Sequence, residues 1–441
     1  MREWVGRPLH RSGVPEQGER GEMAEAEAQP RALALSSRRC SPPSPPLPTS
    51  PTAIESLVQR SGLLQGMSCL QELDLSRCLK LTDAGIRHLT SISTLEKLYI
   101  SETGLTAGGV PLLASLKNLS VLDLGGLPVT DQALSSLQVL TKLQYLDLWG
   151  SKVSNNGAAV LQKYTKLTFL NLAWTSITKF PNLPSLECLN MSNCTVNSIL
   201  EGHGGKAPLT KLIFAGATVV KEAEAFTYVE TSFLTFLDVS KSSLQSFCFL
   251  PHMKALKHLD LSFCMMGDDS VEHVACIGAD LRSLNLSNTR ISSAGVEILA
   301  PHVPNLEVLS LSSTLIDDIA ISYISNIPSL NVVDFSNTHI KGFIDQVGAE
   351  PSSILSLQEL ESLNHLERLN LEQTYVSDEA LKPLLNLQEL RDLSLRSISL
   401  TDLALHYLSS LPKLTNLCIH DAVDKLWACF IPSLRNSKNE L

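Results

Sequence analysis

The sequence predicts an α/β solenoid in which a parallel concave sheet of about fifteen strands is backed by a mainly helical convex side. Three observations carry the prediction. A Leu-x-x-Leu-x-Leu pattern starts at Leu70, Leu95, Leu119, Leu143, Leu167, Leu186, Leu209, Leu234, Leu256, Leu281, Leu306, Leu330, Leu366, Leu390 and Leu414, and most gaps are 24 or 25 residues. Within a unit two periods follow one another. In LDLSRCLKLTDAGIRHL (73–89) leucines alternate as in a half-buried strand, and Ile86 and Leu89 then follow Thr82 and Asp83 at the spacing of a short helix. Finally, eleven units carry Cys, Thr or Ser eight residues after the start: Cys78, Thr103, Ser151, Thr175, Cys194, Ser242, Cys264, Thr289, Thr314, Thr338 and Thr374. A fixed period of this length, with one strand per unit, is the signature of a leucine-rich-repeat horseshoe, whose units bury their leucines only against their neighbours.

Taken in chain order, residues 1–52 are rich in Arg, Glu, Ala, Ser and Pro, and SPPSPPLPTSPT (41–52) alone holds six prolines. Such a segment cannot bury enough apolar surface to offset its ordering entropy, so a disordered tail is expected there. Residues 53–69 have a helical apolar pattern suited to cap the first repeat. The repeats then occupy 70–413, and 414–441 form the last repeat and a C-terminal cap, with Trp427 and Phe430 expected to cover it. The first four units are regular, with helix starts at Thr82 and Thr130. Small residues at Gly85, Gly109, Ala133 and Gly157 should let the helices approach the strands. The Leu167 unit spans only 19 residues and contains FPNLP (180–184), whose prolines forbid a helix, so its convex side should be extended. EGHGGKAP (201–208) is expected as a surface loop, since it lacks the frame of a phosphate loop. The Leu330 unit runs 36 residues, and its surplus, including SSILSLQELESL, should form a longer convex helix or a projecting loop.

The small residue at plus eight falls where the backbone leaves the sheet ladder and its polar groups need partners. Cys78, Cys194 and Cys264 are therefore read as buried turn residues. The ten cysteines form no C-x-x-C pair, and no histidine stands in a catalytic or metal-ligating frame; His88, His273 and His406 fall on convex helices. No catalytic residue, metal or cofactor is expected.

Function should lie on the concave sheet, where positions plus two, plus four and plus six face solvent while the leucines point inward. Fifteen rows at about 4.8 Å span roughly 70 Å, enough for a folded partner or an extended peptide. In a chain that is only 5% aromatic, Tyr99, Tyr145, Trp149 and Phe169 share three or four adjacent rows, with Trp174 one position beyond its strand. Exposed aromatics of this kind anchor protein interfaces. Asp123 and Asp147 flank them, and these seven residues form the candidate binding site. Aspartate recurs at plus four, at Asp74, Asp123, Asp147, Asp238, Asp260 and Asp334. Arg368, Glu372, Asp392, Arg396 and His420 make a smaller polar patch near the end.

The formal net charge is -10; seven Arg and six Glu leave residues 1–52 at +1, so the repeats carry about -11. Phosphate neutralisation demands the opposite balance, and no nucleic-acid partner is expected. No apolar run reaches the 18 residues of a membrane span, and the first thirty residues lack the apolar core of a signal peptide. A monomer in the cytoplasm, alternatively the nucleus, is the expectation.

LDLSRCLKLTDAGIRHL, LDLGGLPVTDQALSSL, LNLSNTRISSAGVEIL and LNLEQTYVSDEALKPL resemble the units of plant intracellular leucine-rich-repeat proteins, above all the repeat portions of F-box/LRR and antagonist-of-mitotic-exit-network proteins. The resemblance covers roughly residues 54–430. It implies an array that selects substrates for an SCF ubiquitin ligase in ubiquitin-dependent protein catabolism, with SCF components as partners. The residues themselves indicate a non-enzymatic intracellular scaffold whose concave face binds a protein. An SCF substrate receptor is one alternative, although residues 1–52 show no apolar three-helix pattern of an F-box. A regulator of a GTPase or another enzyme is the second. Deleting residues 1–52 should leave the melting temperature and the circular dichroism per folded residue unchanged; a large loss of either would show that this tail packs on the repeats.

Overall fold

The computed structural model describes residues 69–201, 206–346, 352–396 and 400–420. The expected tail, the body of the N-terminal capping helix, the Gly-rich core of 201–208, and Trp427 and Phe430 lie outside the described residues. One fifteen-stranded sheet runs through the rest in strict chain order. Its strands are β1 (Glu72–Asp74), β2 (Lys97–Tyr99), β3 (Val121–Asp123), β4 (Tyr145–Asp147), β5 (Phe169–Asn171), β6 (Cys188–Asn190), β7 (Lys211–Ile213), β8 (Phe236–Asp238), β9 (His258–Asp260), β10 (Ser283–Asn285), β11 (Val308–Ser310), β12 (Val332–Asp334), β13 (Arg368–Glu372), β14 (Asp392–Arg396) and β15 (Asn416–His420). Every neighbouring pair is parallel, so the fold is the predicted leucine-rich-repeat solenoid.

Register follows from burial. Leu73, Leu98, Leu122, Leu146 and Leu170 stand directly opposite one another in successive rows, and a one-residue slip would turn every leucine toward solvent. Units of unusual length keep the same alignment: Leu170 faces Leu189 across the short unit, and Val333 faces Leu369 across the long one. Only the convex side absorbs the difference in length.

Each unit passes its backbone donors to the next. Leu75 N–H donates to the Tyr99 carbonyl (2.8 Å) and Arg77 N–H to Ser101 (2.8 Å); Leu124 and Gly126 repeat the pair with Asp147 (2.9 Å) and Trp149 (2.7 Å). The plus-seven residue making the last of these bonds adopts a left-handed backbone. It is glycine at Gly126, Gly150 and Gly216, but Arg77, Trp174, Phe263 and Gln373 hold the same conformation with φ of 56–64°. A side chain there costs about 1–2 kcal/mol, which the ladder bond and the surrounding packing hold in place.

The plus-eight residues then close the turn. Hydroxyls of Thr103, Thr175, Thr289, Thr314, Thr338 and Thr374 donate to the plus-five carbonyl of their own unit at 2.6–3.0 Å. The longer Cys194 and Cys264 thiols reach back to the plus-five carbonyl of the unit before, both at 3.2 Å. With Cys78 they are buried, as the turn reading requires.

On the convex side the segments are short: α-helices Asp83–Leu89, Asp131–Ser136, Asn155–Leu161, Val271–Ala275, Ser293–Leu299, Ile319–Ile324 and Asp402–Leu408 alternate with 3-10 turns such as Val110–Ser115 and Glu379–Asn386. None is long enough to persist alone in water. Stacking holds them, with a polar tie between units. The Asp131 carboxylate accepts both the N–H (2.7 Å) and hydroxyl (2.6 Å) of Ser154 in the next unit, and Asp83 does the same with Thr106. This tie corrects the reading of the helix glycines. A Cβ at Gly109 would stand 2.2 Å from Asp83 Oδ1, and one at Gly157 2.4 Å from Asp131 Oδ1, so these glycines make room for the preceding unit's carboxylate rather than for the strands.

Around FPNLP the convex side is extended, as the prolines dictate: Lys179–Pro181 pairs with Ser198–Glu201. Of the two forms expected for the surplus of the Leu330 unit, the longer convex helix is absent among the described residues. Phe343–Gln346 and Ser352–Leu355 form an antiparallel pair, and only Ser356–Ser362 coils, as a 3-10 turn. Buried Asp318 anchors it by accepting from Lys341 N–H (2.9 Å), Gly342 N–H (2.7 Å) and the Ser356 hydroxyl (2.5 Å).

Leu146, Leu259 and Leu309 are fully buried at the plus-three position. Leu→Ala at any of them should cost about 2–5 kcal/mol through transfer and cavity terms. Denaturant unfolding measures it, and midpoints equal to the parent's would contradict the assigned register.

Candidate functional site

The candidate residues gather on β2–β5, where the repeat geometry sets one side chain per column every row. Tyr145 and Phe169 occupy the plus-two column of neighbouring rows, and their rings stack face to face at 4.1 Å with an interplanar angle of 3°. Both are half-buried, so the pair presents an apolar ridge of ring edges to the concave side. Trp149, at plus six, lies across the preceding row. A Cβ at Gly125 would be 2.1 Å from its Nε1, and one at Gly126 would be 3.3 Å from its six-membered ring. The glycine pair is what allows the indole to lie down; what it exposes is its opposite face.

Tyr99 and Asp123 are direct partners across β2 and β3, as are Asp123 and Asp147 across β3 and β4. Trp174 stands apart. It is 52% exposed, in the left-handed turn beyond β5, on the rim rather than on the sheet. Asp147 also departs from expectation: it is only 7% exposed, because rows this close cover one another and Tyr145 and Trp149 flank it on its own strand.

The recurring aspartates have a shared structural task. Each plus-four carboxylate accepts the backbone N–H two residues on: Asp74 from Ser76, Asp123 from Gly125, Asp147 from Trp149 (3.0 Å), Asp238 from Ser240, Asp260 from Ser262, Asp334 from Ser336. Asn171, Asn190, Asn285 and Asn370 do the same with their amide oxygens. The column therefore caps the strand ends and needs an acceptor, not a charge. Where Asp stands, the charge is additional. Burial pushes Asp147 up to about 6; Asp123 beside it adds to the rise, while the Trp149 N–H and the Asn171 amide (3.0 Å) hold it down. No cation partners Asp147 among the described residues.

Sequence reading missed an extension of the plus-two column. Lys211 Nζ lies 4.3 Å from the centre of the Phe236 ring, and Phe236 packs against His258 at 6.0 Å. The signal was present, since all three stand two residues after the starts at Leu209, Leu234 and Leu256. In the C-terminal patch Arg368 pairs with Asp392 at 3.1 Å, and Glu372, Arg396 and His420 share one register line, the His420 side chain lying outside the described residues. The Arg368 side chain is 63% exposed, so the pair is worth little. On the convex side His273 Nε2 comes within 3.7 Å of the exposed Cys248 Sγ, with no third group orienting the imidazole among the described residues. No group of three or more His, Cys, Asp or Glu that could hold a metal occurs among the described residues. No described helix is long and apolar enough to cross a membrane.

The fold and the repeated turn chemistry define a leucine-rich-repeat protein. A Leucine Rich repeat family model matches residues 252–275 and 279–300. Over 106 residues the chain is 32% identical to the acidic leucine-rich nuclear phosphoprotein 32-related protein 2 of Caenorhabditis elegans, a match covering 23% of this chain and 47%, about half, of that protein. Among solved structures, TLR13 in its complex with a single-stranded RNA superposes with a TM-score of 0.53 at 20% identity, over 75% of this chain and 50% of that one. A leucine-rich-repeat protein from Leptospira interrogans gives 0.50 at 18%, over 76% and 92%. An internalin from Listeria monocytogenes gives 0.45 at 18%, over 83% and 93%.

The buried carboxylate makes a prediction about pH. Its folded pKa of about 6 exceeds the ordinary 3.8, so the folded state holds the proton more tightly. The cost of the charge is absent below about pH 4, grows as pH rises, and is complete above about 6. Asp147→Asn keeps an acceptor for Trp149 and removes the charge. It should gain about 1–3 kcal/mol over the parent at pH 7.5 and nothing near pH 4. Thermal melts at both values test this, and a variant destabilised at pH 7.5 would contradict it.

Proposed function

We propose that the protein is a non-enzymatic scaffold that captures a protein partner on the concave face of its first five rows. One observation carries the reading: in a chain with few aromatics, Tyr145 and Phe169 on β4 and β5 and Trp149 just beyond β4 are set side by side, half-exposed and fixed by stacking and by the Gly125–Gly126 shelf. Rigid, partly covered aromatics lose little entropy when a partner seats on them. The general use of this repeat architecture, an extended concave surface, supports the same reading. Recruitment of a substrate to an SCF ligase and regulation of a GTPase are particular forms of it, separated by which protein is held.

Trp149→Ala or Tyr145→Ala should weaken capture of concave-face partners by about tenfold or more, the effect typical of interface anchors, with the circular dichroism spectrum unchanged. Cross-linking mass spectrometry from β2–β5 in cells, with parent and variants compared quantitatively, measures this and identifies the partner. Full retention of every partner by folded variants would move the site elsewhere, with Arg368 and Arg396 next to be tested.

A further inference from the structure

We propose that the seat formed by Trp149, the Tyr145–Phe169 ridge, Asp123 and Asp147 receives an arginine side chain of the protein partner. The inference rests on the concave-face reading and narrows it to one chemistry.

The aromatics and the carboxylates cannot be covered separately. Tyr145 and Trp149 lie two residues either side of Asp147, and Asp123 stands directly opposite Asp147 on the preceding strand. A partner that seats on the rings therefore covers Asp123, beside the already buried Asp147. Their first oxygens already cap Gly125 and Trp149, and Asn171 is the other donor to Asp147. Covering this pair with a neutral surface would leave their mutual repulsion uncompensated, whereas a cation meets it with attraction, set against the desolvation of the cation itself.

Shape selects among cations. The indole lies flat on Gly125 and Gly126, so its open face is a plane on the same row as Asp123. A guanidinium is planar, stacks on an aromatic face and offers paired donors to a carboxylate at its edge, while an ammonium is a compact point charge. The aliphatic stem would rest on the ring edges of Tyr145 and Phe169. Elsewhere on the face the plus-two cations are already engaged, Lys97 with Glu72 at 3.1 Å and Lys211 over Phe236. Among the described residues no cation pairs with Asp147, whose donors are the Trp149 N–H and the Asn171 amide.

The test uses the full chain labelled with 5-fluorotryptophan, with the Trp149 and Trp174 resonances assigned from Trp149→Phe and Trp174→Phe variants. N-acetyl-arginine amide is the probe, and N-acetyl-citrulline amide, of the same shape without the charge, is its control. The arginine probe should shift the Trp149 signal saturably and leave Trp174 in place, with citrulline at least about tenfold weaker. Asp123→Asn combined with Asp147→Asn should remove the difference between the probes while the protein stays folded. Equal titration by citrulline, a response indifferent to the double substitution, or no saturable shift at Trp149 would each overturn the proposal. Partner capture that depends on Trp149 alongside a silent arginine titration would leave the concave-face reading standing and discard the cation. A titrating seat with capture indifferent to Trp149 would do the reverse.

Discussion

No unit of this solenoid can bury its own leucines. Three inward side chains per strand and a single turn of convex helix make no core alone, so each unit is completed by the next, and every other regularity follows from that dependence. Side chains at plus three stand on one another for fifteen rows because the alternative register would expose them all. Backbone donors released at the end of each strand find acceptors one unit ahead. The same relation recurs on the convex side, where Asp83 and Asp131 bind the cap residue of the following unit and a glycine vacates the space they need.

That dependence explains why the sheet was legible and parts of the turns were not. The leucine spacing reports strand pleat directly, and the plus-eight Thr and Cys report a turn carbonyl in need of a donor. The left-handed residue at plus seven leaves a weaker trace. Gly126, Asn193 and Asn288 suggest it, but Arg77, Trp174 and Phe263 do not, because tertiary hydrogen bonds impose the conformation against local preference. The helix expected as one form of the surplus of the Leu330 unit is missing for a related reason. SILSLQELESL has helical spacing, yet Asp318 holds Lys341, Gly342 and Ser356 at the base of a hairpin, and that anchor lies far away in sequence.

The candidate site was legible as a column of residue types but not as a surface. Alternation placed Tyr145, Phe169 and Trp149 on the concave side; it did not show that two rings stack, or that the third lies on a glycine shelf in another unit. The plus-four aspartates show the limit most clearly. Their alternation with Asn171, Asn190 and Asn285 marks a position that needs an oxygen acceptor, and burial, which raises Asp147 and also Asp238, is what distinguishes members of the series electrostatically.

The hairpin between β12 and β13 has a practical meaning. Val332 and Arg368 stand opposite each other in normal register although the chain between them is half again as long as in most units. The sheet therefore counts leucines and is indifferent to contour length on its back. A reporter domain spliced between Gln346 and Ser352 would ride on the convex side, joined by two antiparallel strands already paired to bring its ends together. The length of the back is thus free to vary while the row spacing of the sheet stays fixed.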